Sequence, residues 1–146
     1  MDTSLVICVG NVARGDDGVA HRVARLLDDA GLPDGTVLLT AVDLDVAMAE
    51  DVAAASRLVI VDAMRRAEPA VTTSPLTPGP ATRPTGHAID AASLLGIAQA
   101  LYGEAPRATL VTVAAPSMAH TEQLSECATA ASDEAAVVVR MLLAED

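Results

Sequence analysis

The chain contains no lysine, no phenylalanine and no tryptophan, and only one tyrosine. Without lysine there is no Schiff base, no lysine general base and no lysine-dependent phosphate loop. The nine basic residues are all arginine, against twenty acidic ones, for a formal net charge of −11. An acidic chain with almost no aromatic side chains lacks both the basic stripe and the stacking platforms that nucleic acid or an anionic membrane would need. Cysteine is scarce. Cys8 and Cys127 stand alone without paired spacing, so they read as two thiols in a reducing cytoplasm and not as a disulfide or zinc site. Met1-Asp2-Thr3 carries no basic leader, and no apolar run approaches membrane-spanning length, so a cytoplasmic protein is expected. What remains is a chain of 146 residues, 51% hydrophobic, whose core must be built from Ala, Val, Leu, Ile and Met. That length predicts a single domain over residues 1–146.

The opening organises the rest. Leu5 to Val9 is a short apolar run, broken by the turn residues Gly10-Asn11 and followed by the acidic pair Asp16-Asp17. A helical pattern then begins, with Val19, Val23, Ala24, Leu27 and Ala30 on one stripe. Thr36 to Thr40 reads as a second strand, and Val46 to Ala55 as a short helix capped within Asp43-Leu44-Asp45. Arg57 to Ala63 is a third, continuously apolar strand ending in Asp62. Ala70 to Thr73 is a short fourth strand, and Ser74 to Gly86 a Pro/Thr/Gly-rich loop closed by His87. A helix from Asp90 to Tyr102, a strand from Ala108 to Ala114 and a last helix capped by Ser125 and running to about Leu143 complete the chain.

Continuous apolar strands separated by helices indicate a parallel sheet covered on both faces. The expected fold is therefore an α/β three-layer α/β/α sandwich around about five mostly parallel strands. The short fourth strand follows the third without a crossover helix, which marks it as the antiparallel member.

Ligands in such sheets bind at the carboxyl ends of the strands. Asp17, Asp62 and His87 fall in that region, and two carboxylates with an imidazole suit a borderline divalent metal such as nickel or zinc. Each has a plainer reading. Asp16 and Asp17 can cap a helix, Asp16 the more so; Asp62 can bond loop amides; His87 can be a surface histidine. His21 and His120 read as surface or structural.

The order of the motifs resembles the nickel–iron hydrogenase maturation endopeptidases. Gly10-Asn11 with Asp16-Asp17-Gly18 is similar to their opening signature, and Val59-Ile60-Val61-Asp62-Ala63 to their second. Thr85-Gly86-His87 resembles their Ser/Thr-x-His element, and Leu124-Ser125 the Leu-Ser that opens their last helix. The resemblance implies removal of a C-terminal extension from a hydrogenase large-subunit precursor already loaded with nickel. It assigns the metal-contacting roles, and with them the catalytic ones, to Asp17, Asp62 and His87. The nickel would belong to the substrate, with no tightly held cofactor in this chain. The chain departs from the family at Thr40-Ala41-Val42-Asp43, where a glycine-rich turn is usual, at Met64-Arg65-Arg66-Ala67-Glu68, and at Ala115-Pro116 in place of Glu-Pro.

Two other readings compete. A phosphoacceptor receiver domain shares the acidic pair and the strand-ending Asp, but needs a lysine that this chain lacks. A non-catalytic relative could keep the three residues for metal-dependent recognition of a hydrogenase subunit without cutting it.

Overall fold

A computed structural model describes residues 2–80 and 89–145. Five strands form one sheet in the order β2-β1-β3-β5-β4. They are β1 (Ser4–Val9), β2 (Thr36–Ala41), β3 (Arg57–Met64), β4 (Val71–Leu76) and β5 (Arg107–Ala114). Pairings β1–β2, β1–β3 and β3–β5 are parallel, and β4 runs antiparallel to β5, as the missing crossover helix predicts. The helices are α1 (Val19–Ala30), α2 (Ala49–Ala54), α3 (Ala91–Tyr102) and α4 (Glu126–Leu143).

Alternation along the strands divides the core in two. Val6 and Cys8 of β1, Val59 and Val61 of β3, and Val111 and Val113 of β5 pack against α1 and α4. Leu5, Ile7, Val9, Leu58 and Ile60 pack against α2 and α3 on the other face. The three-layer sandwich is thus formed, and α4 buries chiefly Ala128, Ala131, Ala135 and Val139. Small side chains let α4 lie close to α1 and the sheet, which is how a core without aromatic bulk reaches close packing. Burial pushes the Cys8 thiol up to about 12, so it behaves as a small core hydrophobe, while Cys127 is exposed. Among the described residues no helix is long and apolar enough to cross a membrane.

The element boundaries differ from the sequence reading by more than one residue in two places. The segment expected as one helix from Val46 to Ala55 is a 3₁₀ turn, Val46–Met48, followed by α2. Its cap lies within Asp43-Leu44-Asp45 as expected: Asp45, whose carboxylate accepts the Ala47 N–H at 2.8 Å. Strand β4 extends to Leu76 and includes Pro75, beyond the expected end at Thr73. Proline is tolerated there because β4 is an edge strand with β5 as its one neighbour.

Candidate active site

The loop between β1 and α1 is built by close approach. A Cβ on Gly10 would lie 1.9 Å from the carbonyl oxygen of Asp17, and one on Gly18 would lie 2.8 Å from the Cα of Val12. Glycine at both points lets the loop fold back on itself. Asn11 fixes the fold: its amide N–H donates to Asp17 Oδ2 at 2.9 Å, and its own side-chain oxygen accepts from Ala13 N–H at 2.9 Å. Behind the loop, His21 Nε2 donates to the Gly10 carbonyl at 2.7 Å, a structural role for a half-buried histidine.

Asp16 and Asp17, adjacent in sequence, do different things. Asp17 stays half-exposed at the mouth of the sheet. Asp16 is fully buried, and the cap expected of it is not made: α1 has no side-chain cap at its start. Instead Asp16 accepts the Ser117 N–H at 2.9 Å, the Ser125 N–H at 2.7 Å and the Ser125 hydroxyl at 2.7 Å. Ser125 caps α4 as predicted, accepting the Ala128 N–H at 3.1 Å. Three donors offset the desolvation of one buried carboxylate, and the loop carrying Asp17 is clamped to the start of α4. Gly15, at φ +57° and packed beneath Ser117 and Ala119, completes the clamp.

Asp62 lies near the carboxyl end of β3, in register with Val9 of β1 and Thr112 of β5. By strand alternation its side chain continues the face of Leu58 and Ile60, at the point where the core gives way to solvent. Burial pushes its carboxyl up to about 6, against the pull of the Ala63 N–H. The carboxylates of Asp17 and Asp43 push it further in the same direction. Asp62 thus feels the charge of Asp17 from the β1–α1 loop and of Asp43 from the exit of β2. Asp43 entered the sequence reading only as part of the capping stretch Asp43-Leu44-Asp45, in which Asp45 makes the cap. Its link to Asp62 comes from the sheet order, with β1 alone between β2 and β3, and spacing along the chain carries no such signal.

His87 lies outside the described residues. Among those described, no group of three His, Cys, Asp or Glu could hold a metal ion. The exits of the strands carry exposed apolar side chains, Val12, Val42, Val46 and Met64. Arg66, in the stretch that departs from the family signature, donates to the carbonyls of Pro69 and Thr112 and so braces the β3–β4 connection.

A mostly parallel five-stranded sheet with one antiparallel edge and helices on both faces is the fold of the hydrogenase maturation endopeptidases. The endopeptidase HybD from Escherichia coli matches with a TM-score of 0.75 at 23% identity, over 97% of this chain and 91% of that one. The hydrogenase 2 maturation peptidase from a Thaumarchaeota archaeon matches with a TM-score of 0.71 at 25% identity, over 97% and 98%. The hydrogenase maturation protease HycI from Thermococcus kodakarensis gives 0.73 at 18% identity, over 98% and 93%. No protein-family model and no curated protein matches the chain.

Proposed function

We propose that this chain is an endopeptidase of hydrogenase maturation, removing a C-terminal extension from a nickel-loaded large-subunit precursor. The observation that supports the reading is that Asp62, near the carboxyl end of β3, feels the charge of Asp17 from the loop after β1, within this fold. In it Asp17, Asp62 and His87 offer two carboxylates and an imidazole to the nickel already held by the substrate, which reports that the precursor is ready. Bound nickel polarises a carbonyl and acidifies water. Burial pushes the Asp62 carboxyl up to about 6 in the free chain, still ionised at neutral pH and so able to meet a cation that the substrate brings. The exposed Val12, Val42, Val46 and Met64 offer apolar contact to the polypeptide around the scissile bond.

The test is to incubate a candidate precursor, with and without nickel, and follow the mass of its large subunit. Loss of a C-terminal peptide from the loaded form alone supports the reading, and Asp62→Asn and His87→Ala should abolish it in folded protein. Wild-type processing by a folded His87→Ala variant would sink the site assignment. Stable nickel-dependent binding without cleavage would instead identify a non-catalytic relative.

A further inference from the structure

Beside the carboxylates, the same loop forms one wall of a cleft of about 460 Å³. Gly15 and Gly18 line it from the loop, Arg22 and Arg25 from α1, and Glu122 and Gln123 from the segment leading into α4. In a chain of net charge −11, two of nine guanidinium groups open onto this one cavity. Arg22 is held in place: its Nη1 donates to the Thr129 carbonyl at 3.2 Å, Ser132 Oγ at 2.5 Å and Asp133 Oδ1 at 2.7 Å. Those bonds use one nitrogen and leave the rest of the planar donor fork unspent. Arg25, one turn further along α1, forms no hydrogen bond or ion pair with any described residue.

We propose that this cleft is a carboxylate-binding site, in which Arg22 and Arg25 take a negatively charged group of the bound polypeptide. The inference rests on the endopeptidase reading for its occupant, and on the cavity and its arginines for its chemistry. Two guanidinium forks three residues apart on one helix face match the planar, two-oxygen geometry of a carboxylate better than any point charge would. The loop shared with Asp17 puts a polypeptide held at that residue next to the cationic wall. Two sources supply the same group: an Asp or Glu side chain, or the terminal carboxylate of the extension. Glu122 lines the same cleft, so an incoming carboxylate competes with its charge for the arginines.

The full chain would be titrated by nuclear magnetic resonance with three synthetic acetylated peptides: tetra-alanine with a free carboxylate, its amide, and an amidated form with one internal aspartate. Binding of either carboxylated peptide, weakened by salt and absent for the neutral amide, supports the site, and the responding peptide identifies the source. Arg25→Ala should weaken it about tenfold and Glu122→Gln should tighten it severalfold. Arg140→Ala, the same charge change on the last turn of α4, should leave it unchanged. Equal affinity in Arg25→Ala and wild type, or no binding by wild type, overturns the site. Precursor cleavage that continues while the cleft fails this test leaves the endopeptidase reading standing. Arginine-dependent peptide binding in a protein that cuts no loaded precursor does the reverse.

Discussion

The carboxylate of Asp16 reaches Ser125 across 109 positions of sequence, accepting its N–H and its hydroxyl, each at 2.7 Å. One buried residue thereby joins the loop that presents Asp17 to the helix that closes the sandwich. Asp16→Ala should destabilise the fold by about 2–4 kcal/mol, because three bonds to a buried carboxylate are lost together with the clamp they form. Ser125→Ala should cost about 1–3 kcal/mol, the hydroxyl bond together with the α4 cap. Denaturant midpoints at constant slope would measure both, and a change below about 0.5 kcal/mol in Asp16→Ala would remove the clamp from the argument.

The raised Asp62 pKa has a signed consequence. A carboxyl that titrates near 6 in the folded chain and near 3.8 when unfolded holds more protons folded than unfolded between those values. Stability therefore falls as pH rises through that window, and the cost is fully present above it. Asp62→Asn should stabilise the protein at neutral pH, by on the order of 1 kcal/mol given partial solvent screening, and change it little below the window. The same variant should be inactive, so thermal melts and the processing assay should move in opposite directions. A variant less stable than wild type at pH 7 would contradict the burial argument.

Processing should also follow the ionisation of Asp62, failing as pH falls through about 6. Asp43→Asn removes one of the two carboxylates that push this group up, and should move the acid limb to lower pH without touching the chain's hydrophobic core. An acid limb unmoved in Asp43→Asn would show that its charge does not reach the site.

Two glycines should respond very differently to a methyl group. Gly10→Ala drives Cβ into the Asp17 carbonyl, so it should cost about 3 kcal/mol or more and abolish processing. Gly31→Ala, at φ +83° with open space around it, should cost only about 1 kcal/mol and leave processing intact. Equal losses in the two variants would refute the close approach at Gly10.

The parts of this fold that were legible in the sequence are those written locally. The apolar run of β1, the stripe on α1 and the Ser125 cap each follow from residues a few positions apart. So does the antiparallel β4, because too little chain separates it from β3 for a crossover. Asp16 was misread because its partners lie more than a hundred residues away, and an acid before a helix looks the same whether it caps or clamps. The influence of Asp43 on Asp62 was not legible because its neighbour is set by sheet order. Pro75 hid the end of β4, since proline speaks against a strand unless the strand is known to lie at an edge. The assignment of His87 rests on its motif alone.

The clamp also has a meaning in time. A chain made from its N-terminus exposes β1, the acidic loop and α1 long before Ser117 and Ser125 exist to receive Asp16. Until they arrive, a buried carboxylate has no donors and the loop has no reason to hold its shape. The loop that carries Asp17 is therefore completed only by residues made near the end of the chain.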